Sequence, residues 1–545
     1  MPGRLLWRIP LMIGLVCLCI PRLCAADSTD PPEVQIGERL FLETRFAQFF
    51  FTNCHGNVNA TLPSGDPVMD VTVTAQGTFP GPFAGKSMNC RACHLVDEQG
   101  LTPGGGNRTY DDFARRSPVP AREDGKTSTP RNAPPLVDSA LPRKGATFFH
   151  LDGQFVTLQD LIKTTYTGRN FGWLPNEQKT AIHHIAQVIR EDDGTGDLAQ
   201  EYGGSYKTVL SGVSKDFRLP ARYQLNVDNA SDEQILDGIA KLVAAYVESL
   251  VFSQDDNGDF NGSPYDVFLQ KNNLPRHPDK GETNIDYARR LRGLVSALSS
   301  PQFVTSADGT FAFHNQAFAF GTQELDGLKI FLNEPPPGTP PPGGVGNCIA
   351  CHAPPTFTDF LFHNNGASQE EYDQIHGKGA FAQLVIPDAA TRRANFNAWL
   401  PPTPRHPDAL GPYIGIPSAD HPEYADLGLW NEFDNPDVPR PQAKLYKFLK
   451  TLCPEKHCRR DDLLPLTVGL FKTPGLRDLA DSGPYLHNGS KDTLAQVMGF
   501  YSAEPILARA GQLRNVDPQM QGISLTAADA AALVSFLESL NEDYH

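Results

Sequence analysis

Long apolar runs are what this 545-residue sequence has least of. The one such stretch, residues 9–20, is shorter than the roughly 20 residues a helix needs to cross a bilayer. No later segment is long and apolar enough, so no membrane span is expected. Basic residues are also in short supply: 47 Lys and Arg stand against 63 Asp and Glu, a formal charge of −16. That balance argues against nucleic acid and anionic membrane as partners; it suits plain solubility or the steering of a basic protein partner. Pro and Gly, by contrast, number 47 each, which predicts long loops over a helical scaffold and little sheet.

The short apolar stretch has the marks of an export signal. Arg4 and Arg8 precede it, and the small-residue region Leu23-Cys24-Ala25-Ala26 follows. Cleavage after Ala25 or Ala26 removes three arginines and no acid, making the mature chain more acidic still. Cys17, Cys19 and Cys24 leave with it.

Four of the remaining cysteines stand in two copies of one motif, Cys90-Arg91-Ala92-Cys93-His94 and Cys348-Ile349-Ala350-Cys351-His352. Two thiols three positions apart add across the vinyl groups of a haem, and the adjacent histidine is carried under the ring to ligate iron. A thioredoxin-like dithiol has no need of that histidine, and a four-thiolate zinc site would require the two pairs to meet. The reading is two covalently bound c-type haems, with His94 and His352 as axial ligands. Cys453 and Cys458 flank a short loop and are expected to form a disulfide in an oxidising compartment. Cys54 is left over; beside His55, but with no second thiol at haem spacing, it is expected to be structural.

An internal repeat suggests how the chain divides. Gly37-Glu38-Arg39-Leu40-Phe41-Leu42 precedes the first motif as Gly327-Leu328-Lys329-Ile330-Phe331-Leu332 precedes the second, and Ala245-Tyr246-Val247-Glu248-Ser249-Leu250 is echoed by Ser535-Phe536-Leu537-Glu538-Ser539-Leu540. The later echoes sit in helical patterns. Ile235, Leu236, Ile239, Leu242, Val243, Tyr246, Val247 and Leu250 share a face behind a Ser231/Gln234 capping box; Leu533, Val534, Leu537 and Leu540 form a stripe behind Thr526, with Asp529 near the positive helix end. The expected architecture is mainly α: a signal at residues 1–26, then two cytochrome c-like domains at 27–280 and 281–545. Residues 334–344, rich in Pro and Gly, form a stiff loop into the second motif.

Further segments give the chain a family likeness. Thr129-Pro130-Arg131-Asn132-Ala133-Pro134-Pro135-Leu136, Leu151-Asp152-Gly153, Phe357-Thr358-Asp359, Phe362-His363-Asn364, Phe471-Lys472-Thr473-Pro474-Gly475-Leu476-Arg477 and Pro484-Tyr485-Leu486-His487-Asn488-Gly489 occur in that order. With the haem motifs they resemble the bacterial di-haem cytochrome c peroxidases and their MauG-type relatives, and more distantly the rubber oxygenases. The resemblance implies a periplasmic oxidoreductase whose first haem, on His94, meets hydrogen peroxide or dioxygen. The second haem, on His352, would receive electrons from a small redox protein.

Peroxidases of the family place a methionine on the second haem at the position of Tyr501; MauG-type proteins place a tyrosine there. A phenolate stabilises higher iron oxidation states, whereas a thioether raises the reduction potential. Met498, one turn earlier on the same helix face, and His487, by the rubber-oxygenase likeness, are the competing ligands. The same resemblance implies a Ca²⁺ site from the carbonyls of Ser482 and Pro484 and the side chain of Asp138, an oxygen-only set suited to that ion. The family has asparagine at the Asp138 position. The acidic loop at residues 255–262 misses EF-hand spacing and is expected to be a solvated turn.

The chain departs from its relatives around the first haem. Leu151 replaces the inter-haem tryptophan, and Leu161 and Phe171 fall where the peroxidase pocket has glutamine and glutamate. No histidine occurs from residue 95 to 149, which removes the usual displaceable ligand; His150 and His55 are the nearest substitutes. Arg169, Trp173 and Glu177 are the replacement candidates: Arg169 to stabilise a leaving hydroxide, Trp173 to relay an electron, Glu177 to move a proton. A turn residue, a core aromatic and a helix-start carboxylate explain the same positions. His183 and His184 read as ordinary surface or core histidines. Three functions follow: peroxide reduction, oxidation of a protein or organic substrate, and electron transfer without catalysis.

Overall fold

Two helix crossings organise the molecule, and both come from the sequence repeat. In this computed structural model, which describes residues 30–543 except 75–76, 82, 95–115, 144–146, 313, 339–340, 454–456 and 481, helix Pro32–Phe41 lies across helix Asp232–Ser249. Helix Thr322–Leu332 lies across Ala527–Glu538 in the same manner. The export segment expected at residues 1–26 lies outside the described residues.

Glycine makes both crossings close. A Cβ on Gly37 would collide with the Leu242 carbonyl and the Tyr246 side chain; one on Gly327 would collide with the Ala532 carbonyl and the Phe536 side chain. The two halves of each sequence echo are therefore the two sides of one contact, Gly37 against Tyr246 and Gly327 against Phe536. Local sequence starts the partner helices as expected: Ser231 Oγ accepts from the Gln234 amide at 3.2 Å, and Thr526 Oγ1 from the Asp529 amide at 3.1 Å. The apolar stripe of the first partner helix is buried throughout, as are Leu533, Leu537 and Leu540 in the second, while Val534 is half-buried.

Helices Leu158–Tyr166 and Gln178–Glu191 complete the first core, which runs from Val34 to Phe260. The Tyr166 hydroxyl donates to the Leu40 carbonyl at 2.8 Å, a bond worth about 1 kcal/mol net. At Tyr265 a second core begins, built with helices Pro264–Lys271, Asn284–Ser296 and Leu494–Arg509. A third core, around Trp430, Phe433 and Leu449, fills the segment between Phe362 and Leu470, and Phe148 from the first half packs into it.

Sheet is confined, among the described residues, to two small pairs: Val71–Thr74 with Gly77–Pro80, and Phe362–His363 with Phe471–Lys472. The second pair sets Phe362 opposite Lys472 and His363 opposite Phe471, tying the two ends of the third-core segment together beside the second Cys-x-x-Cys-His motif. The molecule is mostly helical, with long irregular connections.

Candidate functional site

Both motifs fold as a single tight turn. The His94 amide donates to the Cys90 carbonyl at 3.0 Å and the His352 amide to the Cys348 carbonyl at 2.7 Å, so each histidine is folded back under its cysteines. A buried asparagine sets each turn from the preceding position. Asn89 accepts from the Ala92 amide at 3.2 Å and donates to the Leu42 carbonyl at 2.9 Å; Asn347, left-handed at φ 51°, donates to the Gln519 carbonyl at 2.9 Å. Asn89-Cys90 and Asn347-Cys348 were visible in the sequence as a matched pair and went unread.

Burial and the neighbouring thiol push the pKa of both leading cysteines up, that of Cys348 to about 12. Such thiols are poorly suited to dithiol exchange, which needs the thiolate. The two pairs also sit in different cores, and no group of three metal-binding His, Cys, Asp or Glu side chains occurs among the described residues. Covalent haem attachment uses the residues as they stand.

The second motif opens on a deep, largely apolar cavity walled by Phe331, Leu494, Val497, Leu533 and Leu537. His352 lines it, and its Nδ1–H donates to the Phe357 carbonyl at 2.9 Å. Burial keeps this imidazole neutral. A neutral imidazole with its tautomer fixed from behind presents Nε2 as a metal ligand, so donor and cavity both fit a haem.

All three candidate second ligands reach this cavity: Met498, Tyr501 and His487. Met498 and Tyr501 come from one turn of the Leu494–Arg509 helix. The Tyr501 hydroxyl accepts from Asn365 Nδ2 at 3.3 Å. Burial raises its pKa to about 12 and the Asn365 hydrogen bond opposes that; Tyr501 lines the same cavity as Cys348 and Cys351. His487 is stacked flat on Phe471 at 3.6 Å with Nε2 3.3 Å from Ser368 Oγ, and burial holds its pKa down to about 3. Met520, a fourth group of possible interest in the cavity wall, was not singled out from the sequence.

At the cavity edge His363 is clamped between two carboxylates, Nδ1 2.6 Å from Asp517 and Nε2 2.8 Å from Asp359. Burial opposes its charge, but the two acids win and hold it protonated. Asp517 lies far along the chain, which is why sequence reading missed the clamp.

The first motif lies in the first core beside Phe41, whose ring is 6.5 Å from that of His94. The expected catalytic replacements take structural places. Arg169 pairs with Asp124 at 2.7 Å and binds the Pro120 and Lys126 carbonyls, closing a loop. Trp173 is 1% exposed, its Nε1 donating to the Phe46 carbonyl at 3.1 Å. Glu177 caps the Leu174 amide at 2.8 Å and is gripped by Arg122 at 2.9 Å. His150 contacts Gln154 and the Phe155 ring, whereas His55 is exposed. His183 bonds Asp232 at the surface and buried His184 the Arg45 carbonyl. Cys54 is buried. Part of the histidine-free stretch, residues 95–115, lies outside the described residues.

Asp138 and Ser482 line one small cavity, together with Lys472 and Arg477. Asp138 accepts from the Phe252 amide at 3.2 Å, and burial raises its pKa to about 6; the Pro484 carbonyl is occupied by Asn132 Nδ2 at 2.7 Å. In the 255–262 loop, Asp255 pairs with Arg276 at 2.5 Å. Cys453 and Cys458 are joined by a disulfide.

No family model matches the chain. It is similar, at 26% identity over 224 residues, to the cytochrome-c peroxidase IdrP2 of Denitromonas iodatirespirans, over 41% of each chain. It is 36% identical over 92 residues to the methylamine utilization protein MauG of Methylophilus methylotrophus, 16% of this chain and 26% of that protein. The matches thus span less than half the length of these curated relatives. Among solved structures, the diheme peroxidase BthA from Burkholderia thailandensis E264 aligns over 94% of this chain and 86% of that one, at 18% identity and a TM-score of 0.44. A MauG-like protein associated with microbial copper homeostasis aligns over 99% and 96%, at 16% identity and a TM-score of 0.43.

Proposed function

The chain is a relative of the di-haem cytochrome c peroxidases and of MauG, and from that premise we propose that it is an exported, periplasmic di-haem c-type oxidoreductase that reduces hydrogen peroxide. Peroxide would react at the haem held by Cys90, Cys93 and His94. Electrons would enter from a small redox protein through the haem held by Cys348, Cys351 and His352. The observation that carries the reading is the pair of Cys-x-x-Cys-His turns, one per helix crossing, with the His352 Nδ1 bonded to the Phe357 carbonyl and the ring lining an apolar cavity. The change of core between Phe260 and Tyr265 supports two haem-carrying units dividing some way before residue 280.

Haem supplies the redox chemistry when bound, two electrons and two protons converting one peroxide to two waters. The chain's own residues do the rest. The cysteines fix each ring in position, and the buried asparagines hold the turns that carry them. The Phe357 carbonyl keeps His352 in the ligating tautomer. Leu494, Val497, Leu533 and Leu537 exclude water, which strengthens every electrostatic interaction in the cavity. Arg169, Trp173 and Glu177 hold the scaffold around residues 120–177 rather than a reacting atom.

Tyr501 favours a second reading, the oxidation of a protein or organic substrate, because its phenol lines the cavity that Cys348, Cys351 and His352 also line. Low-temperature electron paramagnetic resonance of the fully haem-loaded, diferric protein tests the proposal. A high-spin signal beside a low-spin one is expected, leaving one iron open to peroxide. Two low-spin signals would instead favour an electron carrier or an enzyme that must first be reduced. If the open form turns over peroxide only with an organic or protein substrate and never with a redox-protein donor, the second reading stands.

A further inference from the structure

Two cations on the seam between the halves, half-buried Arg143 and buried Lys472, form no salt bridge among the described residues. Arg143 donates from Nη2 to the Ser139 carbonyl at 2.9 Å, while its Nε and Nη1 are buried without a hydrogen-bond partner. Its guanidinium lies on the Phe360 ring at 3.9 Å, with Phe149 of the first core at 5.9 Å. Lys472 is 8% exposed, and its Nζ reaches only the Phe148 carbonyl, at 3.4 Å. Its backbone is pinned by the amide bond to the Leu151 carbonyl at 2.7 Å and by pairing opposite Phe362.

Asp152 is the acid that acts on Lys472, and the described acids nearby are engaged elsewhere. Asp152 is bound by Arg131, which also grips Asp426 at 2.5 Å. Asp138 accepts from the Phe252 amide, and Arg477, the other cation of the small cavity, is paired with Asp266 at 2.9 Å. Burial and then Arg143 push the Lys472 pKa down to about 7, and burial pushes that of Arg143 down to about 10. Two like charges that act on one another, largely desolvated and without a salt bridge among the described residues, are costly in a folded chain. Such a pair is accounted for by an anion that arrives after the backbone is built.

The anion's place is defined by Lys472, which lines both the large cavity at Cys348, Cys351 and His352 and the small cavity shared with Phe360. We propose that Arg143 and Lys472 form a carboxylate site that receives a propionate of the haem attached to Cys348 and Cys351. This rests on the di-haem reading above and extends it to the contact that sets the potential of the second haem. Arg143 supplies unused N–H donors and Lys472 a point charge, a combination suited to a carboxylate. Offsetting the propionate's charge removes a negative field from the iron and so favours the reduced state.

The test is spectroelectrochemistry on the holoprotein, with haem counted per chain by its pyridine haemochrome. K472M and R143Q are each expected to keep two haems and to lower the midpoint potential of the second, making its reduction at least tenfold less favourable, about 59 mV for a one-electron couple. K472R is expected to hold the wild-type potential, and K472Q to behave as K472M, which separates charge from packing. Two haems with unmoved potentials in K472M and R143Q would overturn the inference and leave the di-haem reading intact. A wild-type chain that takes up no haem would sink that reading and the inference with it. Titration with inorganic phosphate separates the sources of the anion. Wild-type potentials indifferent to phosphate are expected; a response to phosphate that K472M abolishes would make this a site for a free anion and overturn the propionate assignment.

Discussion

The two helix crossings share their geometry and differ in their charges. Position for position in the repeat, Arg39 of the first crossing corresponds to Lys329 of the second. Arg39 is fully buried, paired to Asp192 at 3.0 Å and stacked on Tyr206, and Asp192 also binds Arg45, which grips Glu43 at 2.7 Å. Lys329 is at the surface, with Asp326 at 3.9 Å. The repeat thus retains the close approach of two backbones, while the first half adds a buried ionic network and the second keeps its crossing apolar and opens a cavity beside it. What the two halves have in common is a platform that holds a Cys-x-x-Cys-His turn. What they do not share points to different tasks for the two haem positions.

Breaking the shared element should hurt both halves. Gly37→Val and Gly327→Val each place a branched side chain against a helix backbone, overpacking that costs about 3 kcal/mol apiece. The sites lie in separate cores, so the double variant should lose about 6 kcal/mol. Urea unfolding of each variant, with helicity and haem absorbance followed together, checks this. Tolerance at one site and collapse at the other would mean that the crossings are not equivalent.

The ionic asymmetry gives an effect of about half that size, and it depends on pH. Burial works against a charged Glu43, but Arg45 and the Tyr206 hydroxyl hold its pKa down to about 2. A carboxylate lowered from its model value of 4.5 to about 2 in the folded state contributes about 3 kcal/mol. That contribution is present above the unfolded value and is lost as pH falls through the folded one, between about 4.5 and 2. In the second half His487 works earlier in the titration. Burial lowers its folded pKa to about 3 from 6.5, so it charges more readily in the unfolded chain and subtracts stability as pH falls below 6.5. Acid unfolding should therefore begin in the second half. E43Q should flatten the loss below pH 4.5, H487Q the loss above it, and neutralising Lys329 should change neither by more than about 0.5 kcal/mol.

How much of this could be read from the sequence follows from how local each feature is. The crossing helices were legible because capping residues and apolar stripes lie within a few positions of one another: Ser231 with Gln234, Thr526 with Asp529, Leu533 with Leu537. The haem turns were legible for the same reason. The third core was not, since helices such as Ala380–Gln383 and Phe396–Trp399 are too short to show a period and their partners come from distant segments. The partners of the expected pocket trio were illegible on the same ground: Arg169 meets Asp124, Trp173 the Phe46 carbonyl and Glu177 Arg122, contacts across tens of residues that no spacing encodes. Arg143 and Lys472 lie further apart again, and what singles them out is that neither forms a salt bridge among the described residues, which no spacing encodes.

The third core has no counterpart in the first half, and its disulfide gives the smallest test of that difference. Cys453 and Cys458 close a loop with a sequence separation of 5 just after helix Gln442–Leu452. Chain entropy for so short a loop limits the stabilisation to about 2 kcal/mol. The Lys450 ammonium bonds the Cys458 carbonyl at 2.8 Å, so part of the local geometry survives without the bridge. C453S/C458S should therefore speed hydrogen exchange along residues 442–463 and leave the Pro32–Phe41 and Thr322–Leu332 crossings protected as before. Faster exchange in either crossing would show that the third core braces the haem platforms rather than being carried by them, because Phe148, from the first half of the chain, packs on Phe362 within this core.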